Sequence, residues 1–298
     1  MISVVIPTRN RMTLLLGILS DLNVQTSMPL DVIVVDSSDD FIEIVPANYN
    51  FNLIHVNEKI QSAAQQRNIG VSLLNKSTSI LGFLDDDVRI KSDYLERLCS
   101  NISKYNLIGV SGVALAKNQS LRQIPNGFFG LYRRIFMLDS KKSGALLKSG
   151  VNVPIHRGCE TLVEVEWLIG CSCWKFESIR DNSFPNIPGY SLGEDVIFSA
   201  SLRGLGKLAV DPSTVLVHLE SEIGRPDTYL YWRGWINYRK MLLLSQPSSL
   251  VRTFSFWWAN FGKAISSLLL LPFFPTEHFS TLRGILAGTI KSFETKSK

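Results

Sequence analysis

The sequence predicts an α/β protein whose mainly parallel sheet is flanked by helices, and three observations lead to this fold class. Short apolar runs alternate with helical patterns from the first residues onward, beginning at Ile2–Ile6 and Asp31–Val35. Such continuous apolar runs are typical of strands that are covered on both faces. Carboxylates directly follow two of the runs, at Asp36 and at 85–87. In open α/β sheets, ligands bind beyond the carboxyl ends of the strands, so both places are candidate binding sites.

The composition is that of a folded chain with a sizeable core and a weak basic excess. The chain has 298 residues, 45% of them hydrophobic, and a formal net charge of +5. This excess does not indicate a nucleic-acid partner, and it suits an anionic small molecule or an anionic membrane surface equally well. Four cysteines in this length do not make a disulfide framework. The first strand begins without a secretory leader before it, so we expect a cytoplasmic chain.

Residues 1–115 alternate strands with helices and form the first half of the predicted domain. Further strands are expected at Phe51–Val56, Ile80–Leu84 and Leu107–Leu115, and helices near 13–22, at Ile60–Asn75 and from about Ser92 to Tyr105. The inward stripe of the second helix consists of Ile60, Ala64, Arg67, Val71 and Leu74. An arginine on an apolar stripe is costly unless an anion meets it. The alternative is that the head of Arg67 reaches water.

Residues 116–225 form a second, less regular half of a domain that spans 1–225. Lys117–Arg157 is long, basic and irregular, a pattern typical of a functional flap or a disordered segment. A strand at Thr161–Ile169, a helix opened by Gly193-Glu194-Asp195, and short strands at Lys207–Val210 and Thr214–Val217 follow. His218 comes directly after the last strand.

Residues 226–298 are predicted to form amphipathic helices, at Asp227–Ser245, Phe254–Phe274 and Leu282–Phe293. The middle helix carries one apolar stripe, made of Phe254, Trp257, Trp258, Phe261, Ile265 and Leu268, with Asn260, Lys263 and Ser267 opposite. The central lysine and Pro272 make it a poor membrane span. Tryptophans favour an interfacial helix instead. The alternative is a helix that packs on the catalytic domain or on a second subunit in a homodimer.

Several charged groups stand where chemistry could use them. Asp85 and Asp87 could share one side of an extended chain end and offer oxygen ligands to Mg²⁺ or Mn²⁺. A solvated acidic turn is the alternative for this triplet. Glu194 and Asp195 alone would also fit an ordinary acidic helix start, and a lone His218 is more often structural.

The combination of these motifs, in this order, resembles the family 2 inverting glycosyltransferases, which are nucleotide-sugar enzymes of the GT-A fold. The motifs are Pro7-Thr8-Arg9, Asp36, Arg67-Asn68-x-Gly70, Asp85-Asp86-Asp87, Gly193-Glu194-Asp195 and His218. The likeness covers roughly residues 1–245. It implies a GT-A, Rossmann-like sheet, with a nucleotide-binding half at 1–115 and an acceptor half at 116–225.

The resemblance also implies roles for the matching residues on the donor side. Pro7, Thr8 and Arg9 would line the nucleoside pocket, and Asp36 would accept a hydrogen bond from the base. Arg67 would approach the nucleotide, with Asn68 beside it. Within the triplet, Asp85 is the first member of the motif, and Asp86 and Asp87 would serve ribose and metal. His218 would complete the coordination of the divalent cation together with Asp87 and Asp85.

On the acceptor side, the resemblance makes Asp195 the general base, with Glu194 positioning the acceptor or supporting the helix start. A sugar hydroxyl is a poor nucleophile until a carboxylate takes its proton. The leaving nucleoside diphosphate gains negative charge, which a divalent cation stabilises. The expected acceptor is a glycan or a lipid-linked molecule, in polysaccharide or lipid-linked glycan assembly. The chain would then be cytoplasmic and peripheral on the inner face of the membrane.

Two segments depart from the family pattern. Asp36-Ser37-Ser38 lacks a second acidic or amide residue after the first, which leaves the base selectivity open. Gly170-Cys171-Ser172-Cys173 replaces the usual small-residue acceptor motif. Cys171 and Cys173 could form a zinc site with His156 and Cys159, but the spacing matches no common zinc pattern. Buried thiols are the favoured interpretation.

Two other functions remain as alternatives. A sugar nucleotidyltransferase would need a glycine-rich loop after the first strand, and residues 7–11 contain no glycine. A non-catalytic nucleotide-sugar-binding protein would not need both the triplet and the Glu194-Asp195 pair, which are intact here. Both alternatives use the same fold class, so turnover of a labelled donor separates them.

Overall fold

The computed structural model describes residues 1–116, 119–187, 192–219 and 226–294. The strands in these ranges are β1 (Ile2–Thr8), β2 (Asp31–Asp36), β3 (Asn52–Asn57), β4 (Ile80–Phe83), β5 (Val88–Ile90), β6 (Leu107–Ala116), β7 (Val163–Val165), β8 (Ser172–Lys175) and β9 (Lys207–His218). The helices are α1 (Met12–Leu22), α2 (Ala63–Ser72), α3 (Tyr94–Tyr105), α4 (Gly127–Ile135), α5 (Phe176–Ile179), α6 (Glu194–Ser201), α7 (Thr228–Leu244), α8 (Leu250–Leu270) and α9 (Pro275–Glu294).

The described strands form one mixed sheet in the order β3-β2-β1-β4-β8-β6-β9-β5, and β7 pairs with β9. Strands β3, β2, β1 and β4 are parallel, as their unbroken apolar runs predict. The chain moves from β1 to β2 on one side and places β4 on the other side. A crevice therefore opens at the carboxyl ends of β1 and β4, where the strand order reverses.

Two apolar layers cover the faces of the sheet. On one face, Leu15 and Leu19 of α1 and Leu98 of α3 belong to one buried cluster with apolar residues of β1 and β2, and α3 lies against β6, β8 and β9. On the other face, Ala64 of α2 and Phe198 of α6 contribute to the second layer. Both strand faces are thus buried, which fixes the positions of the strand ends that carry the polar residues.

Most predicted elements are present, with shifted ends. Helix α2 begins at Ala63 rather than Ile60, because the Ser62 hydroxyl caps it by accepting from the backbone N–H of Gln65 at 3.4 Å. The strands expected at Lys207–Val210 and Thr214–Val217 are one strand, β9, whose pairing with β6 shifts register.

Other differences lie in the second half. The strand predicted at Thr161–Ile169 is limited to Val163–Val165, and Ser172–Lys175 forms an unpredicted strand between β4 and β6. The segment expected to be irregular contains α4, which packs Tyr132 against α8 and exposes its other apolar side chains. Helix α9 begins at Pro275, seven residues before the predicted start.

The three C-terminal helices share an apolar cluster with residues between 138 and 197. This cluster joins Leu138 and Val196 to Ile236, Phe256 and Ile285 of α7, α8 and α9. It is therefore continuous with the walls of the site described below. Among the helices of the described ranges, none combines the length and the apolar character needed to cross a bilayer.

Arg239 of α7 ties this cluster together through polar contacts. Its guanidinium is buried and donates to the Ser149 carbonyl at 2.9 Å and to Asn260 Oδ1 at 2.6 Å. It also lies over the Trp235 ring, 3.9 Å from the centroid. Helices α7 and α8 and the loop at Ser149 are therefore fixed to one another.

Helix α8 turns its polar side toward the protein, whereas most packed helices turn their apolar side inward. Asn260 and Ser267 are buried, although they belong to the polar stripe. Phe254, Phe261 and Leu268 of the apolar stripe are 62%, 54% and 56% exposed. The polar side of α8 thus faces the protein, and much of the predicted aromatic stripe faces outward.

Candidate functional site

The carboxyl ends of β1, β2 and β4 bring together Thr8, Asp36 and the triplet 85–87, and this group is called the carboxyl edge below. The Thr8 hydroxyl donates to Asp86 Oδ2 at 2.7 Å. Pro7 is buried within β1, and Arg9 forms an exposed ion pair with Asp39 at 3.4 Å. The first-strand motif and the triplet are therefore adjacent, as the family resemblance implied.

Asp36 is a buried carboxylate whose oxygens are both used by the protein. Its Oδ1 accepts from the Ser38 backbone N–H at 2.7 Å, and its Oδ2 lies 3.3 Å from His55 Nε2. Burial alone would raise the pKa of Asp36, but the hydrogen bonds from His55 and Ser38 outweigh it, and the pKa is lowered. Asp36 thus rigidly holds the turn after β2. The hydrogen bond that Asp36 would accept from the nucleobase stays a prediction.

Arg11 is a charged residue of the carboxyl edge whose role the sequence did not indicate. One of its guanidinium nitrogens, Nη1, lies 3.1 Å from Asp86 Oδ1 and 3.1 Å from Asp87 Oδ2. Burial raises the pKa of Asp86 to about 6 and also raises the pKa of Asp87. A positive charge between these two carboxylates is therefore strongly favoured, and Arg11 supplies it here.

Asp85 points to a different partner from its two neighbours. Its Oδ1 lies 2.7 Å from Arg67 Nη2, and the other terminal nitrogen of Arg67 lies 3.1 Å from Glu194 Oε1. Burial alone would lower the pKa of Arg67, but the two carboxylates raise it. Of the two alternatives for this arginine, the structure has the anionic partner, supplied by two carboxylates, and the side chain does not reach water. The approach of Arg67 to a nucleotide stays a prediction.

Arg67 is also held by the shape of its surroundings. A Cβ on Gly170 would lie 2.8 Å from Arg67 Nη2, so the glycine leaves room for the guanidinium. The neighbouring Asn68 exchanges two hydrogen bonds with the backbone of Phe184 and so fixes that segment. The structure thus gives Asn68 a positioning role in this part of the cleft.

Asp195 stands in the first turn of α6 and lines a cavity of about 370 Å³. Its Oδ1 accepts from the Val196 backbone N–H at 2.8 Å. Burial and the charge of Glu194 raise the pKa of Asp195 to about 7, against the opposing effect of Arg67. Gly193, at φ +77°, begins the helix against the ring of Tyr238. Asp195 is therefore positioned as a proton acceptor near neutral pH.

The cavity that Asp195 lines, called the Asp195 cavity below, has walls from three remote parts of the chain. The flap region contributes Arg122 and Arg133, and α7 contributes Trp232. Helix α8 contributes Lys263, which the sequence pattern placed on the polar side of an interfacial helix. No local sequence signal could have joined these residues, because they meet only through tertiary packing.

The comparison with known families agrees with this arrangement. The family described as Glycosyl transferase family 2 matches residues 3–163. The chain belongs to glycosyl transferase family 2. The matched range contains the carboxyl edge and Arg67, whereas Glu194, Asp195 and His218 lie beyond it. The resemblance inferred from the sequence is confirmed.

One relative matches this family 2 chain over a short stretch. An uncharacterized glycosyltransferase of Haemophilus influenzae is 36% identical over 88 residues, which is 29% of this chain and 29% of that protein. The match therefore spans under a third of that relative's length.

Two solved structures have the GT-A fold of this chain, which confirms the predicted fold class. S. aureus TarS 1-349 in complex with UDP-GlcNAc is 17% identical, with a TM-score of 0.54, over 95% of this chain and 73% of that one. The mannosyltransferase PcManGT from Pyrobaculum calidifontis, in complex with GDP-Man and Mn2+, is 15% identical, with a TM-score of 0.58, over 98% and 86%.

The donor set of this family 2 chain fits a divalent cation that a substrate helps to hold. Among the described residues, no three side chains of His, Cys, Asp or Glu converge to bind a metal. Asp87 Oδ1 and His218 Nε2 lie 3.4 Å apart, and Asp85 is turned toward Arg67. Magnesium commonly takes only one or two protein carboxylates, with substrate phosphates and water completing its shell. Asp87 fits that pattern, and His218 would add an imidazole nitrogen, which is a common metal ligand.

The cysteines of the β8 segment are buried thiols, as expected. Burial raises the pKa of both Cys171 and Cys173. Cys171 Sγ accepts a hydrogen bond from the Asp85 backbone N–H at 3.3 Å. Its thiol therefore helps to fix the start of the acidic triplet, which gives this departure from the family pattern a structural role.

Proposed function

We propose that the chain is an inverting, metal-dependent glycosyltransferase that moves a sugar from a nucleoside-diphosphate sugar to an acceptor hydroxyl. The observation that carries this proposal is the bridge made by Arg67 between Asp85 and Glu194. It links the triplet at the carboxyl edge to the helix start that holds Asp195. Family membership, and the complexes of similar structures with UDP-GlcNAc or with GDP-Man and Mn2+, support the same donor class.

On the donor side, the nucleoside diphosphate would bind along the carboxyl edge. The residues proposed to contact it are Pro7, Thr8, Arg9, Asp36, Arg67, Asn68, Asp85 and Asp86. Asp87 and His218, joined by Asp85, would hold Mg²⁺ or Mn²⁺. When bound, such a cation stabilises the negative charge of the leaving diphosphate. Arg11 would keep Asp86 and Asp87 neutralised while no cation is held.

On the acceptor side, Asp195 would take the proton of the attacking hydroxyl. The oxygen of that hydroxyl forms a bond to the anomeric carbon while the bond from that carbon to the diphosphate oxygen breaks. The electron pair of the broken bond leaves with the nucleoside diphosphate. Attack from the opposite face inverts the anomeric carbon. The raised pKa of Asp195 suits it to this proton transfer, and Glu194 would hold it in position through Arg67.

The proposed acceptor is a glycan or lipid-linked molecule that the enzyme meets at a membrane surface, in polysaccharide or lipid-linked glycan assembly. The outward stripe of α8 supports this, since its aromatic and leucine side chains are exposed while its polar side is buried. Phe128 of α4 is 85% exposed, and α4 contacts α8 through the Trp258 indole, which donates to the Ile135 carbonyl at 2.8 Å. Exposed aromatic side chains on amphipathic helices favour peripheral binding.

The donor class is tested by a panel of UDP-, dTDP- and GDP-sugars, with Mn²⁺ or EDTA, read by thermal shift and by release of labelled sugar. We expect one nucleotide to stabilise the protein in Mn²⁺ and its sugar to be transferred or slowly hydrolysed. Donor binding without any turnover would support the non-catalytic alternative. Turnover of a nucleoside triphosphate with a sugar phosphate would support a nucleotidyltransferase.

Membrane binding is tested with point variants, because α8 and α9 bury Phe256 and Ile285 in the shared cluster and their removal would expose it. We expect the full chain to sediment with anionic liposomes. The variant Phe254→Ser/Phe261→Ser should sediment less, and the control Leu205→Ser, also at an exposed position, should not change. A full chain that ignores liposomes and forms a dimer, which the double variant dissociates, would assign the stripe to a homodimer.

A further inference from the structure

The Asp195 cavity contains more positive than negative side chains. Arg122, Arg133 and Lys263 line it, together with Asp139 and Asp195. Both arginines are directed to one carboxylate: Arg133 Nε lies 3.0 Å, and an Arg122 terminal nitrogen 3.4 Å, from Asp139 Oδ2. Asp139 therefore partly neutralises Arg122 and Arg133, whereas Lys263 is not part of this group.

Lys263 is the third cation of the cavity, and among the described residues it forms no ion pair with a carboxylate. Within the described ranges, no carboxylate oxygen lies within 4.0 Å of its ammonium group. The ammonium instead lies over the Trp232 ring, 4.2 Å from the centroid. Burial and the charge of Arg133 lower the pKa of Lys263 to about 8, against the opposing charge of Glu277. An ammonium group in such a place is stabilised by an incoming anion.

The aromatic side chains of the same cavity suit a sugar or polyol. Trp232 packs edge to face against Tyr231 and Trp235, with ring centroids 5.3 and 5.2 Å away, so its position is fixed. All three rings line the cavity with Asp195. A fixed aromatic surface, a cation and a proton acceptor thus occur in one cavity of about 370 Å³.

We propose that the acceptor is an anionic glycan or polyol whose phosphate or carboxylate group binds Lys263 in the Asp195 cavity. This inference rests on the proposed function, since it names the class of acceptor that would receive the sugar. The anionic group binds at Lys263 and the arginines, the carbon skeleton contacts Trp232, and a hydroxyl reaches Asp195.

The test uses the full chain and small probes, measured by calorimetric titration in EDTA. The anionic probes are glycerol 1-phosphate and glucuronate, and their neutral counterparts are glycerol and glucose. We expect one anionic probe to bind and the neutral probes to bind at least tenfold more weakly. Lys263→Met should weaken the anionic probe about tenfold or more. Lys263→Arg should retain most of the affinity, which guards against a misfolded variant.

A matched control is Lys240→Met, which removes a lysine from the neighbouring helix outside the cavity lining and should leave affinity unchanged. Equal affinity of Lys263→Met and the unaltered chain, or equal binding of glucose and glucuronate, would overturn the inference. The anionic probe with the higher affinity shows whether the anionic group of the acceptor is a phosphate or a carboxylate.

Donor hydrolysis separates this inference from the proposed function. Hydrolysis of a nucleotide sugar by a chain that ignores both anionic probes would leave the proposed function standing and overturn the anionic acceptor. Binding of an anionic probe that depends on Lys263, in a chain with no nucleotide-sugar turnover, would overturn the proposed function and with it the role of the cavity as an acceptor site.

Discussion

The carboxyl edge and the Asp195 cavity hold their charges in opposite ways. At the carboxyl edge, Asp86 and Asp87 are met by Arg11, and Asp85 is met by Arg67. In the Asp195 cavity, Lys263 has no carboxylate partner among the described residues and stands over an aromatic ring. The carboxylates of the carboxyl edge are already paired with protein cations. The ammonium of Lys263 in the Asp195 cavity forms no ion pair within the described residues, so an anionic ligand could supply one.

This difference indicates how each place would respond to its ligand. A cation that binds at the carboxyl edge must take over carboxylates that Arg11 now neutralises, so binding there involves an exchange of ion pairs. A ligand in the Asp195 cavity needs no such exchange at Lys263. Removing a carboxylate from the carboxyl edge and removing a charge from the Asp195 cavity should therefore have different consequences for ligand binding.

The largest effect is expected from Asp87→Ala at the carboxyl edge. Asp87 lies beside both Arg11 and His218, so its removal leaves one fewer carboxylate for a cation shared with a diphosphate. We expect loss of measurable transfer and loss of the Mn²⁺-dependent part of nucleoside-diphosphate affinity. Transfer assays and titrations with and without Mn²⁺ measure both.

The control for this variant is Asp181→Ala, at an exposed position in an ion pair with Arg180. It should leave both quantities unchanged. Full transfer in EDTA, or the same Mn²⁺-dependent affinity in Asp87→Ala as in the unaltered chain, would show that the triplet does not hold a cation.

The next largest effect is expected from Asp195→Asn in the cavity. The amide oxygen can still accept from the Val196 N–H, so the local shape is retained while the proton acceptor is lost. Transfer should fall about 10²-fold or more with unchanged donor affinity. Glu177→Gln, a substitution at an exposed helix position, is the matched control. A parallel loss of donor affinity would make Asp195 a structural residue instead.

The two regions also differ in how far the sequence predicted them. The strands β1 to β4 are unbroken apolar runs, and their polar residues follow directly, so local pattern suffices to place Thr8, Asp36 and Asp85 at one edge. For Arg67, the sequence left an anionic partner and a head that reaches water as alternatives, since a charge on an apolar stripe is costly unless it is met. Arg11 was missed, since its partners are 75 and 76 residues away in the chain.

The cavity side depends on contacts that no local pattern contains. Strand β8 is four residues long and pairs with strands remote in sequence, Cys173 lying opposite both Gly82 and Val110. Helix α4 was missed because two glycines and two arginines in nine residues indicated an irregular segment, although its apolar residues at 128, 131, 132 and 135 have helical spacing. The stripe of α8 was recognised correctly, but the partners of its polar side come together only after folding. Asn260 meets Arg239, and Lys263 lines the Asp195 cavity.

The pH dependence gives a smaller effect, with opposite signs for rate and stability. The pKa of Asp195, about 7, lies above the 3.8 of an ordinary aspartate. Transfer should therefore rise about tenfold per pH unit up to roughly pH 7 and then level off. The folded chain holds a proton that the unfolded chain releases, so stability should fall as pH rises from about 4 to 7.

Rates and melting temperatures across this pH range, in the unaltered chain and in Asp195→Asn, measure both effects. The asparagine variant should lose this part of the stability change, because it has no proton to release at residue 195. A rate that is constant from pH 5 to 8, or the same decline of melting temperature in both proteins, would contradict the assignment of Asp195 as the base.

The smallest effect is expected at the junction of the two regions, where Gly193 begins α6 against α7. Gly193 has φ +77°, and a Cβ there would lie 2.5 Å from the Tyr238 ring, whereas Gly204 has φ +93° with nothing within 4 Å of its Cβ position. Gly204→Ala should therefore lose only the backbone preference, about 1–2 kcal/mol in the free energy of unfolding. Gly193→Ala adds the cost of overpacking and should lose roughly 2–4 kcal/mol. Urea unfolding measures both losses.

Because Tyr238 belongs to α7 and Asp195 follows Gly193 by two residues, displacement of the ring should also lower transfer severalfold in Gly193→Ala while donor affinity stays the same. Equal losses of stability in the two variants would mean that Tyr238 moves aside freely, and then α7 would not be what holds Asp195 in position.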